Sequence, residues 1–244
     1  MACWQPSLFF DPATVDSRPL VACSACLLGE SVRYDGGHRE HALLQSTLAQ
    51  LQLQAICPEV GIGLGVPRQT LKVIDGDFDQ RVVQVESPHT DVTDALLDYA
   101  DSYTRRIGPF WPLTAYIFKA RSPSCGIGST PVNPGEPHER RGDGLFAQRF
   151  RTWAPWLSLY EEEDLQTEDA CLELIFLSFI CRDIIWNSRQ ASVKAKALHW
   201  ANRLDIQALS DCGDVESLWL AVKQDWQQRQ QEERRDTIQS FRIA

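Results

Sequence analysis

Leu20-Val21-Ala22-Cys23-Ser24-Ala25-Cys26-Leu27-Leu28-Gly29 is the stretch that decides how this chain is read. Residues 20–23 form a short apolar run, the pattern of a buried strand, and a glycine-ended turn carrying Cys26 follows it. The same arrangement recurs twice. Leu53-Gln54-Ala55-Ile56 runs into Cys57-Pro58-Glu59-Val60, and the apolar stretch 113–118 leads to Ser122-Pro123-Ser124-Cys125-Gly126. Three thiols at three strand ends can converge on one edge of a parallel sheet, where open α/β folds keep their crevice. Three thiolates without a fourth suit an iron–sulfur cluster with one open iron, because a closed structural metal site uses four protein ligands.

Working outward, the segments between these turns read as helices. Leu43, Leu44, Leu48 and Leu51 share one face of a helix predicted over 41–53. Thr90 or Asp91 caps a second helix that runs to about Ile107, with Val92, Ala95, Leu96, Tyr99 and Tyr103 on one face. Arg81-Val82-Val83-Gln84-Val85 alternates like a strand, in a small hairpin. The proline-rich stretch after Gly126 reads as a long polar loop, 144–151 as a short helix and 156–160 as a last strand. Strands alternating with helices predict an α/β fold, a three-layer sandwich with a mostly parallel sheet. Beyond about residue 165 only helices are expected, over 168–186, 190–201 and 214–227, with 227–235 a polar, fraying end. The expected organisation is therefore an extended lead-in over 1–18, an α/β region over 19–165 and a small all-helical C-terminal appendage over 166–244.

The chain has 244 residues, 43% of them hydrophobic and 23% charged, the composition of a globular protein with a sizeable core. A formal net charge of −9 disfavours a phosphate backbone as partner. No stretch approaches the roughly 20 apolar residues of a membrane helix, and the N-terminus does not resemble a secretory signal. Eight cysteines without such a signal point to a cytoplasmic, reducing setting, where clustered thiols serve metals or catalysis more often than disulfides.

Six strings taken in order resemble the 2-thiouracil desulfidase family, long known only as a bacterial domain of unknown function. They are Ser24-Ala25-Cys26-Leu27-Leu28-Gly29, Val32-Arg33-Tyr34-Asp35-Gly36-Gly37, Cys57-Pro58-Glu59-Val60, Pro67-Arg68, Asp91-Val92-Thr93 and Arg121-Ser122-Pro123-Ser124-Cys125-Gly126. The resemblance covers residues 19 to about 164. It implies a cytosolic enzyme that holds a 4Fe–4S cluster through Cys26, Cys57 and Cys125 and leaves the fourth iron open for the sulfur of a thiocarbonyl. Water then replaces that sulfur on carbon, and sulfide leaves with no net redox change. It also implies that Glu59 is the acid/base and Ser122 the catalytic hydroxyl, with Ser124 as its alternate. The chain departs from the usual pattern at Gly61-Ile62-Gly63-Leu64-Gly65, at Lys72 and at Thr130-Pro131-Val132-Asn133-Pro134-Gly135.

Each residue also has a plainer reading. Glu59 caps a turn, or serves as the base that deprotonates water near the cluster. Arg33, Asp35 and Arg68 form loop salt bridges, or orient a pyrimidine and offset an anionic cluster. Tyr34 packs its loop or stacks on the base. Cys23 and Cys26 make a C-x-x-C pair that nothing else in the chain completes into a zinc site, and strand alternation turns Cys23 into the core. Cys171 and Cys181 read as core residues of a helix, and Cys3 and Cys212 as unligated. The acidic run 161–164 reads as a solvated turn. The expected partner is a small thiolated pyrimidine, with thiolated tRNA as the alternative substrate. A cluster-binding sensor and a sulfur carrier using Cys23 and Cys26 are the non-enzymatic alternatives.

Overall fold

A computed structural model of the chain describes residues 18–47, 50–77, 79–86, 90–107, 113–186, 193–206 and 212–243. Almost all of the expected lead-in, with Cys3, lies outside them. The first strand, β1 (Leu20–Ser24), is followed by helix α1 (Ala42–Thr47), β2 (Gln52–Ile56) and the short helix α2 (Pro58–Gly61). A hairpin of β3 (Leu71–Asp75) and β4 (Gln80–Gln84) leads to α3 (Thr93–Ile107), β5 (Leu113–Phe118), β6 (Thr130–Val132), β7 (Arg140–Gly142), α4 (Leu145–Trp153) and β8 (Ser158–Glu161). Helices α5 (Glu168–Cys181), α6 (Val193–Leu204), α7 (Val215–Gln228) and α8 (Gln231–Ile243) complete the described chain, and a π-helical turn extends α5 over Arg182–Trp186.

Strands β2, β1, β5 and β8 form one sheet in that order, and every pair in it is parallel. Its central strands are buried on both faces, which is why they read as continuous apolar runs rather than alternating ones. Alternation along them still sorts the two covering layers. Val21, Cys23, Ala115 and Ile117 face Leu44 of α1 and Cys171, Leu174, Ile175 and Phe179 of α5. Ala22, Tyr116 and Phe118 face Ala100 and Tyr103 of α3 and Phe146 and Phe150 of α4. Helices therefore cover both sides, and the expected three-layer α/β sandwich with a helical C-terminal part is the architecture observed.

The first C-terminal helix serves two cores. One side of α5 completes the sandwich, while Phe176, Leu177, Ile180 and Cys181 pack with Trp200, Trp219 and Trp226 of the helices that follow. Its N-terminus is capped by Thr167, whose hydroxyl accepts the Ala170 N–H at 3.2 Å.

Several elements differ from the sequence reading. The helix expected over 41–53 ends at Thr47 among the described residues, and β2 begins at Gln52. The proline-rich loop after Gly126 contains β6 and β7, which join β3 and β4 in a second four-stranded sheet. The end expected to fray forms α8, anchored by buried Ile238 and Phe241. The acidic run is solvated only in its second half: Glu163 and Asp164 are exposed, whereas Glu161 and Glu162 are buried, the parallel register setting Glu161 opposite Phe118 at the working edge of the sheet.

Candidate active site

In a parallel sheet all strands end on one edge, so the turns after β1, β2 and β5 share it. The chain leaves β1 into a 3₁₀ turn, Ala25–Leu28, that carries Cys26. Gly29 ends this turn at φ +88°, a left-handed conformation that glycine adopts without a Cβ penalty. Cys57 is the residue before α2, with Pro58 in the first helical position. Cys125 sits in the turn after β5. The Ser122 hydroxyl oxygen accepts the Ser124 and Cys125 N–H groups at 3.3 and 3.2 Å, which folds that turn on itself. Helix α4 packs directly against it: the Leu145 N–H donates to Pro123 O at 3.1 Å, and the Phe146 N–H to Ser124 O at 3.0 Å. Gly144 allows this approach, since a Cβ there would lie 2.5 Å from the Ser124 carbonyl carbon.

Cys26, Cys57 and Cys125 line one cavity of about 360 Å³, together with Glu59, Ser122, Arg33 and Tyr34. All three cysteines are free thiols. Burial pushes the Cys26 thiol up to about 11, against the pull of Arg33, and the neighbouring Cys57 adds to the rise. Burial likewise raises Cys57, opposed by the Val60 N–H that faces its sulfur. Burial holds the Cys125 thiol well above the usual range, with Cys57 adding to the effect; the Ser24 hydroxyl hydrogen-bonds its sulfur and opposes it. The three sulfurs thus feel one another's charge. Among the described residues, no three His, Cys, Asp or Glu side chains sit as closely as ligands of a single metal ion must. Soft thiol donors around one cavity, Cys26 and Cys125 buried and Cys57 half-buried, suit the chemistry of a thiophilic group such as an iron–sulfur cluster.

Glu59 enters the wall from the first turn of α2. Its Oε2 accepts from Arg68 Nε at 2.9 Å and from the terminal Arg68 nitrogen at 2.7 Å. Its Oε1 accepts the Ser124 hydroxyl at 3.0 Å. The two side chains of the ion pair are only 14% and 7% exposed, so the carboxylate is fixed rather than floating in solvent. The remaining Arg68 nitrogen donates to Val32 O at 2.8 Å, tying the 32–35 loop to the same point. Ser124 is fully buried and does not line the cavity, whereas Ser122 does. The two serines are thereby separated by position: one faces the cavity and the other faces Glu59.

Asp35 is not in the cavity wall. It lies at the loop surface, where it accepts the Gly37 N–H at 3.0 Å and sits 3.5 Å from Arg33 Nε. Arg33 leans over the Tyr34 ring at 5.2 Å. Cys23 is fully buried under the turn and is not a wall residue; burial raises its thiol strongly.

Sequence reasoning missed Lys119 altogether. It lines the cavity and is held in a buried ion pair by Glu162. The wall also includes Arg39 and Arg121, so five cations and one carboxylate, Glu59, face the cavity among the described residues. In a chain with a net charge of −9 the cavity wall is thus rich in cations, with Arg68, Lys119 and Arg121 each paired to a glutamate. Basic side chains at 33, 39, 68, 119 and 121 beside the cysteine turns were the available signal.

The parallel α/β sandwich thus gathers three thiols, a fixed carboxylate and the Ser122 hydroxyl around one cavity at the edge of its sheet. A family model for 2-thiouracil desulfurase matches residues 21–163, more than half of the chain and all of the cavity's lining residues. The chain belongs to the 2-thiouracil desulfurase family. Among solved structures, a [4Fe-4S]-dependent thiouracil desulfidase, TudS, is 28% identical, with 61% of this chain and 93% of that chain covered and a TM-score of 0.46. No curated protein matches.

Proposed function

We propose that this protein is a desulfidase that removes sulfur from a thiolated pyrimidine, with water as the oxygen source and sulfide as the product. The observation that carries the reading is the convergence of Cys26, Cys57, Cys125, Glu59 and Ser122 on one cavity, inside the segment that belongs to the family. In this reading Cys26, Cys57 and Cys125 hold a 4Fe–4S cluster. When bound, the cluster supplies an open, thiophilic iron that polarises the thiocarbonyl bond.

The chain's own groups do the rest. Glu59 accepts a proton from the attacking water, and Arg68 and Ser124 hold its carboxylate in place while it does so. Ser122 has its oxygen occupied by two backbone N–H groups, so its own proton is the part free to point into the cavity. It donates to the ring or to the departing sulfur. Lys119, Arg33 and Arg68 offset the negative charge that builds up as sulfide forms. The reaction exchanges C=S for C=O, and no electrons enter or leave.

The substrate is a small thiolated base or nucleoside that fits a cavity of about 360 Å³. Thiolated tRNA is the second reading, and the basic wall favours it despite the acidic chain. The test is sulfide release by the anaerobically reconstituted protein, with 2-thiouracil and thiolated tRNA compared at matched salt. Release from neither, with the cluster loaded, sinks the enzymatic reading and leaves a cluster-binding sensor. Release from tRNA alone, falling steeply with salt, replaces the small substrate by the nucleic acid.

A further inference from the structure

Glu161 ends β8, and Glu162 opens the 3₁₀ turn that follows it. Neither lines the cavity. Both carboxylates instead reach the turn that carries Ser122 and Cys125. Glu162 Oε2 accepts the Ala120 N–H at 2.6 Å, and its Oε1 takes the Lys119 ammonium. Glu161 Oε1 accepts the Ile127 N–H and the Ser129 hydroxyl, each at 2.5 Å. The Ser129 oxygen in turn accepts the Arg121 N–H at 2.7 Å. The turn is gripped at its entrance by one glutamate and at its exit by the other.

Two adjacent buried carboxylates, of which only Glu162 has a cation partner, the half-buried Lys119, are an unfavourable arrangement on their own account. What offsets it here is a set of turn N–H groups that no strand reaches. An apolar replacement would leave those donors buried without acceptors.

We propose that Glu161 and Glu162 are positioning residues of the site, which together hold the 120–127 turn so that Cys125 and Ser122 face Cys26, Cys57 and Glu59. The proposal rests on the reading of this cavity as the cluster and reaction site. The two residues divide the task. Glu161 secures the Cys125 side of the turn. Glu162 secures the Ala120 side and holds Lys119 in the wall.

The experiment is amide hydrogen exchange on the cluster-free full chain, followed by visible and electron paramagnetic resonance spectra after anaerobic reconstitution. Glu161→Ala is expected to speed exchange at Ile127 about tenfold or more, with β1 and α5 unchanged. Its cluster spectrum is expected to shift and to bleach several-fold faster in air. Glu161→Gln, whose amide oxygen still accepts the Ile127 N–H, restores both readouts in large part. Glu162→Ala speeds exchange at Ala120, and Glu162→Gln restores it. Unchanged exchange across 120–129 in both alanine variants overturns the proposal, as does a uniform rise over the whole sheet. A parent chain that takes up no cluster, with the turn still loosened in Glu161→Ala, supports the holding role and overturns the desulfidase reading instead.

Discussion

The working edge of the sheet and the C-terminal helices bury very different groups. Ten polar or charged residues are buried before residue 166 among those described, including Ser24, Ser124, Glu161 and Glu162; beyond it the one such residue is Ser178. The helices bury a cluster of Trp200, Trp219, Trp226, Phe176 and Phe241 instead. The ion pair of Arg235 with Asp169 lies at their half-exposed rim. Burying polar groups costs stability unless each finds a partner, so they are retained where position matters more than stability. The helical part is built to pack, and the sheet edge is built to hold donors in place.

The largest expected effect comes from making the same substitution in both regions. Cys26→Ser, Cys57→Ser and Cys125→Ser should each abolish the cluster's visible absorbance and sulfide release. Cys181→Ser, in the helical core, should lower the melting temperature and leave both signals intact. A cluster that survives loss of Cys57 or Cys125 breaks the comparison.

Next in size is Glu59→Gln, which keeps the carboxylate's shape but not its charge. Turnover should fall about 10²–10⁴-fold while the cluster spectrum is kept. Ser122→Ala should also lower turnover. Ser124→Ala should act more weakly, because it removes one hydrogen bond to Glu59 and no group from the wall. Equal losses in the two serine variants would erase the distinction between the exposed and buried hydroxyl.

Trp226→Ala probes the other side of the comparison. Its ring is 1% exposed and its Nε1 donates to Glu173 at 2.8 Å. Truncation should cost about 3–5 kcal/mol in denaturant unfolding, while the folded fraction keeps the cluster spectrum. Loss of the spectrum at temperatures where the variant is folded would show the helices supporting the site directly.

The smallest effect is expected at the surface. Arg149 pairs with Asp101, and its hydrogen bonds hold the Asp101 carboxyl below the usual range. A carboxyl with a depressed folded-state value stabilises above its unfolded value and loses that contribution as pH falls through the folded one. Arg149→Ala should therefore cost under about 1 kcal/mol at neutral pH, and the difference should shrink below about pH 4. A loss that persists undiminished at pH 2 would point to packing rather than charge.

By itself the sequence determined the three strand-ending cysteine turns, the parallel sandwich and the burial of Cys23, Cys171 and Cys181. These follow from local facts: short apolar runs, glycine and proline at turns, and the alternation of side chains along a strand. Strands β6 and β7 were illegible because they are three residues long, carry proline, glycine and arginine, and join a sheet only through the remote pairing of Val132 with Val73 of β3. Helix α8 was illegible because it is dense in charge and is fixed by docking Ile238 and Phe241 against neighbouring helices. Tertiary structure alone decided which serine faces the cavity, that Arg68 clamps Glu59, and that a basic wall forms in an acidic chain. It also turned Glu161 and Glu162 of the acidic run inward. The physical reason is the same in each case: parallel register carries the ends of β1, β2, β5 and β8 to one edge, and no local pattern records which distant groups meet there.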